Sequence, residues 1–127
     1  MRSYVGWYFD YLVEHPNVMR IFNWELAEGW QTFSKIMTQR DKDDVDNFEP
    51  IFRKLQLAGL LRSEPDPILQ FTSALFMGHV YLGILPLYKV LIPDADFTTP
   101  AALKQAREYI VQFVLNGFLV SPAEAKP

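Results

Sequence analysis

The chain has 127 residues, half of them hydrophobic and 15% aromatic, which suits one enclosed core and excludes a disordered polypeptide. A formal charge of −3, with no basic cluster denser than Arg53-Lys54, gives this segment no nucleic-acid footprint of its own. The absence of cysteine rules out disulfides, thiolate nucleophiles and thiolate metal sites and fits a cytoplasmic protein, and Met1-Arg2-Ser3-Tyr4 opens no secretory leader.

Apolar residues recur at three and four positions without β-branched alternation, so the expected fold is all-α, a bundle of about five helices. One domain is expected over 1–120, with 121–127 a frayed tail. Tyr4, Trp7, Tyr8, Tyr11 and Leu12 share a helical face, and that helix stops near Glu14 because Pro16 pushes His15 out of the α region. Pro16 suits the first position of a second helix running to about Gln39, with a bend or break possible at Gly29. Asp46 or Asn47 can cap a third helix, with Pro50 in its first turn, Ile51, Phe52, Leu55 and Leu57 on its core face, and Gly59 as its stop. Asp66-Pro67 and Thr99-Pro100 each set a capping oxygen before an N-terminal proline and open the two last helices, the former kinked at Pro86 and the latter ending near Phe118.

The run Ala74 to Ile92 is almost long enough to cross a bilayer. His79, Pro86 and Lys89 within it and the lack of a flanking basic cluster argue for a soluble helix instead. Both last helices are apolar on every side, whereas a surface helix of a monomer carries a single stripe. The simplest cover for the second side is another copy of the chain, giving a homodimer with a four-helix seam. Phe71, Leu75, Leu82, Ile110, Phe113, Val114 and Phe118 are the residues expected at that seam, and Gly78, Gly83 and Gly117 would allow close approach there or within the core.

Chemistry-bearing motifs fail on inspection. Counting Asp41 as the first ligand of a calcium loop puts Val45 at the fifth position and Phe52 where the bidentate glutamate belongs. Two histidines, His15 and His79, form no His-x-x-x-His pair, so no metal, no cofactor and no enzymatic activity are expected. His79 stands out as a ring in an apolar helix that must bond to something. Glu25 is an exposed residue by default and would answer a cationic or hydrogen-bonding ligand if it turned inward beside Trp24. So many large rings in a small bundle can also wall a ligand cavity.

Tyr8 to Ile21, with a helix ending at His15-Pro16, resembles a segment of TetR-type transcriptional regulators. Ala58-Gly59-Leu60-Leu61-Arg62 before Asp66-Pro67 resembles that family's turn into its penultimate helix, and Thr99-Pro100 with Phe113-Val114-Leu115-Asn116-Gly117-Phe118 resembles its last helix. The resemblance covers nearly the whole chain and implies the C-terminal half of such a regulator: a dimer built on the last two helices, an effector pocket, and DNA binding through an N-terminal helix-turn-helix that does not precede Tyr4 here. On this reading a small apolar or aromatic effector enters between the early helices and the kinked fourth, with Trp24, Trp30, Phe33, Phe76, His79 and Tyr81 as its wall. The alternative is a dimerisation module with a filled core and no ligand.

Overall fold

Proline placement sets where the helices begin. In the computed structural model, which describes residues 2–38, 48–64 and 66–119, helices α2 (Pro16–Ala27), α5 (Pro67–Leu91) and α6 (Pro100–Phe118) all start on proline. The Asp66 carboxylate accepts the Ile68 N–H at 2.8 Å and the Thr99 hydroxyl oxygen accepts the Ala102 N–H at 3.2 Å, the two caps expected from sequence. With α1 (Arg2–Glu14), α3 (Gln31–Thr38) and α4 (Phe48–Leu57) the described residues hold six helices and no strand, only an isolated bridge pairing Leu61 with Leu119. The aspartate run, the expected caps Asp46 and Asn47, and the tail 121–127 lie outside the described residues.

The sixth helix comes from a break in the expected second one. Gly29 and Trp30 both take the left-handed conformation, at φ 71° and 62°, and the Trp30 N–H closes α2 by donating to the Glu25 carbonyl at 2.7 Å. A tryptophan there carries strain of about 1–2 kcal/mol. Glu25 helps to offset it: the side chain is buried, and its carboxylate accepts the Phe33 N–H at 2.9 Å, capping α3. Glu25 thus does turn inward, toward a helix terminus. Glu25→Ala is expected to lower stability by about 1–2 kcal/mol, the upper range for a lost cap, read as a lower urea midpoint with an unchanged slope.

The core forms where α1 lies against α5 and α6. Val5 and Phe9 meet Ile110, Val111 and Val114, with Met77, Tyr81 and Leu82 packed around them. The Arg107 side chain of α6 reaches across to α1 at Gly6, where any Cβ would collide with its guanidinium, itself held by Asp10 at 2.8 and 2.9 Å. α5 runs through Pro86 to Leu91 and is, by length and composition, able to cross a membrane. Two of its polar side chains, Gln70 and His79, are buried and hydrogen-bonded inside the bundle. At the far end the Arg62 carbonyl accepts from Gln56 of α4 at 3.0 Å and Gln70 of α5 at 3.1 Å, while the Arg62 N–H donates to the Phe118 carbonyl of α6 at 2.9 Å. One connector residue therefore ties three helices together.

Candidate functional site

Beside that tie, four helices leave an apolar cavity of about 260 Å³. Tyr4, Val5 and Tyr8 line it from α1, Phe52 and Leu55 from α4, Phe71, Ala74 and Leu75 from α5, and Phe118 from α6. No charged side chain is among these nine. The spacings are helical, four residues from Tyr4 to Tyr8 and from Phe71 to Leu75, so each helix turns one stripe to the space.

Behind the cavity, Tyr8 meets His79. The phenol oxygen is 3.3 Å from both ring nitrogens of His79, and His79 Nδ1 is 3.3 Å from the Leu75 carbonyl one turn back. The histidine, 3% exposed, is covered by Phe22 with ring centres 3.9 Å apart and flanked by Phe76 at 6.1 Å. Burial pushes the Tyr8 phenol up to about 12, with smaller contributions from the Tyr4 and Tyr11 phenols, so it keeps its proton throughout the neutral range. Burial also holds the His79 imidazole below its ordinary value, against the opposing pull of the Leu75 carbonyl.

The linkage has a definite sign. A histidine with a lowered folded pKa binds fewer protons folded than unfolded, so it costs nothing above its unfolded pKa of about 6.5 and destabilises as pH falls through and below that value. The Tm of the wild type is therefore expected to drop more than that of His79→Phe between pH 7 and pH 5. Parallel curves for the two proteins would contradict the buried neutral imidazole.

Of the six residues expected to wall a pocket, four come together. Trp30, Phe76 and His79 surround Phe22, and Phe33 joins through Trp30 at 5.9 Å. Phe76 and His79 border a second, shallower pocket of about 260 Å³ on the α2 side with Asn23 and Gly83. Tyr81 instead packs on Phe9 in the core, and Trp24 is 54% exposed on α2. None of the six lines the apolar cavity.

The expected seam residues also part company. Ile110 and Val114 are buried in the chain's own core, Leu82 packs against that core, and Phe71, Leu75 and Phe118 line the cavity. Only Phe113, 55% exposed, faces outward as a seam requires. The cause is geometric: a helix apolar all round gives no sign of which side its own bundle covers. For the cavity wall, the missed signal was the stripe of Tyr4 and Tyr8, phenols where aliphatic side chains would fill a core better.

The sequence matches the family described as "Tetracyclin repressor-like, C-terminal domain" over residues 1–114, which includes all five core residues and every wall residue except Phe118. The chain belongs to that family. No match was found among curated proteins or among solved structures. A tetracyclin repressor-like C-terminal domain is the regulatory part of a transcriptional regulator, the kind of domain that dimerises and takes small ligands. Such domains belong to regulators rather than enzymes, and those regulators are generally soluble cytoplasmic proteins.

Proposed function

We propose that this chain is the effector-binding and dimerisation half of a TetR-like regulator, and that a small apolar or aromatic compound fills the cavity among α1, α4, α5 and α6. The observation that carries the reading is the cavity itself: 260 Å³ of uncharged, largely aromatic wall is unlike a filled dimerisation core. A ligand there would touch α1, the helix nearest the N-terminal side on which a DNA-reading head would be joined, and also α5 and α6. Occupancy can then be reported by shifting the relative population of two helix arrangements.

Pairing through the outer faces of α5 and α6 completes the proposal. The most apolar stretch of α5 is only 17% buried in the single chain, and a groove of about 540 Å³ between α5 and α6 is lined by Val80, Ile84, Tyr88 and Tyr109. Gly117 meets nothing within 4 Å at the place a Cβ would occupy, leaving room for a partner helix.

Thermal shift with naphthalene tests the ligand reading. A saturable rise in Tm is expected for the wild type and its loss in Ala74→Trp, which fills the cavity from α5. No rise in the wild type would favour the rival reading, a dimerisation module without a ligand.

A further inference from the structure

The Tyr8–His79 contact assigns a direction to the hydrogen bond the cavity can make. The Leu75 carbonyl only accepts, so the His79 nitrogen facing it, Nδ1, carries the proton. His79 is neutral, as its burial favours, so Nε2 is bare and can only accept. The Tyr8 oxygen is 3.3 Å from both ring nitrogens, and with the Nδ1 proton turned to the Leu75 carbonyl it is the bare Nε2 that takes the Tyr8 hydroxyl proton as a hydrogen bond. With its proton committed to His79, the Tyr8 oxygen has only lone pairs left to offer. Tyr4, the other phenol on the wall, is 48% exposed and so open to solvent.

Size follows from volume. A dry apolar cavity of about 150 Å³ accepts one benzene ring. A cavity of 260 Å³ therefore suits about ten carbons, by scaling from that benzene case. A carboxylate or ammonium group would enter with no opposite charge on the wall to receive it.

We infer that this site, on the reading that the cavity is the effector site, selects a neutral compound of bicyclic-aromatic size bearing one hydroxyl or N–H donor, with Tyr8 as the acceptor it bonds and His79 as the residue that positions Tyr8. The selection is for donors over acceptors. An ether or ester of the same size meets a phenol whose proton is already in use, and gains nothing over the bare hydrocarbon. Recognition of the polar group is thus separable from recognition of the ring system, which the apolar wall provides.

Equilibrium dialysis of the 127-residue chain with 2-naphthol, 2-methoxynaphthalene and naphthalene tests it. One net hydrogen bond predicts 2-naphthol binding about fivefold tighter than either other probe. In Tyr8→Phe the three affinities should converge, the ring being kept and the oxygen removed. In His79→Phe the freed Tyr8 proton can be donated to a ligand, so 2-methoxynaphthalene should gain on naphthalene, a change that a merely structural histidine would not produce. Equal binding of 2-naphthol and 2-methoxynaphthalene by the wild type overturns the inference and leaves the effector site standing, as does a donor preference that survives in Tyr8→Phe. Failure of all three probes to bind the wild type overturns the effector site as well.

Discussion

Phe9→Ala is expected to remove about 3–5 kcal/mol of stability, the range for a buried aromatic truncated in a core that cannot collapse around the loss. Phe9 is 2% exposed, and its neighbours come from three helices: Val5 on its own helix, Ile110, Val111 and Val114 on α6, and Tyr81 on α5, with ring centres 6.3 Å apart. Even the α5 backbone is fitted to it, since a Cβ at Gly78 would lie 3.6 Å from the Phe9 ring. Emptying that position leaves a void bounded by rigid helices on every side, and the walls lose their dispersion contacts outright. Against a total of about 5–15 kcal/mol for an ordinary domain, the change removes a large fraction of the stability. Urea unfolding at fixed protein concentration should show a lower midpoint with little change of slope. Trp7→Ala is the matched control: Trp7 is two residues away on α1 but 54% exposed, and its loss should cost less than about 1 kcal/mol. A similar cost for the two would mean that the α1, α5 and α6 junction is not the core.

What the sequence made legible follows from how local each signal is. The starts of α2, α5 and α6 were readable because a proline and a capping oxygen act within a single turn, and Asp66 and Thr99 bond as their positions demand. The break after α2 was half readable. Gly29 marked the place, but the left-handed Trp30 and the inward Glu25 depend on a turn closed by the Phe33 N–H eight residues further on. Which face of α5 or α6 meets which neighbour was not readable at all. Leu75 lines the cavity while the next-turn residue His79 backs it, and Val80, one residue later, is 63% exposed. All three stand in one apolar run, so hydropathy cannot separate them. The cavity wall depends on α4 crossing α5 to bring Phe52 to Phe71, with ring centres 5.7 Å apart, a contact no spacing along the chain encodes.

Substituting Val80→Glu together with Phe113→Glu is expected to turn a dimer into a monomer, and it is the larger of the two effects in free energy. Val80 on α5 is 63% exposed and Phe113 on α6 is 55% exposed, so in a single chain both changes point a carboxylate into water and should leave the fold intact. In a twofold seam each substitution appears twice. Four carboxylates would then lose water without partners, at several kcal/mol for each one fully buried. Since about 1.4 kcal/mol is tenfold in affinity, association should weaken by four orders of magnitude or more on the order-of-magnitude scale. Light scattering at micromolar concentration should give the wild type twice the 14.8 kDa chain mass and the double variant that mass once, with helical circular dichroism unchanged. Ile21→Glu supplies the control, because Ile21 is 62% exposed and lies on α2, outside the proposed pair of helices, and should leave the dimer whole. A wild type of single-chain mass, or a double variant that still pairs, would remove α5 and α6 as the seam. A dimer lost only in the double variant would locate it on the outer faces of these helices, opposite the sides that α5 gives to the cavity and α6 gives to the core. One pair of helices would then carry ligand, core and partner on different faces, the arrangement through which occupancy of the cavity can alter how the two chains sit together.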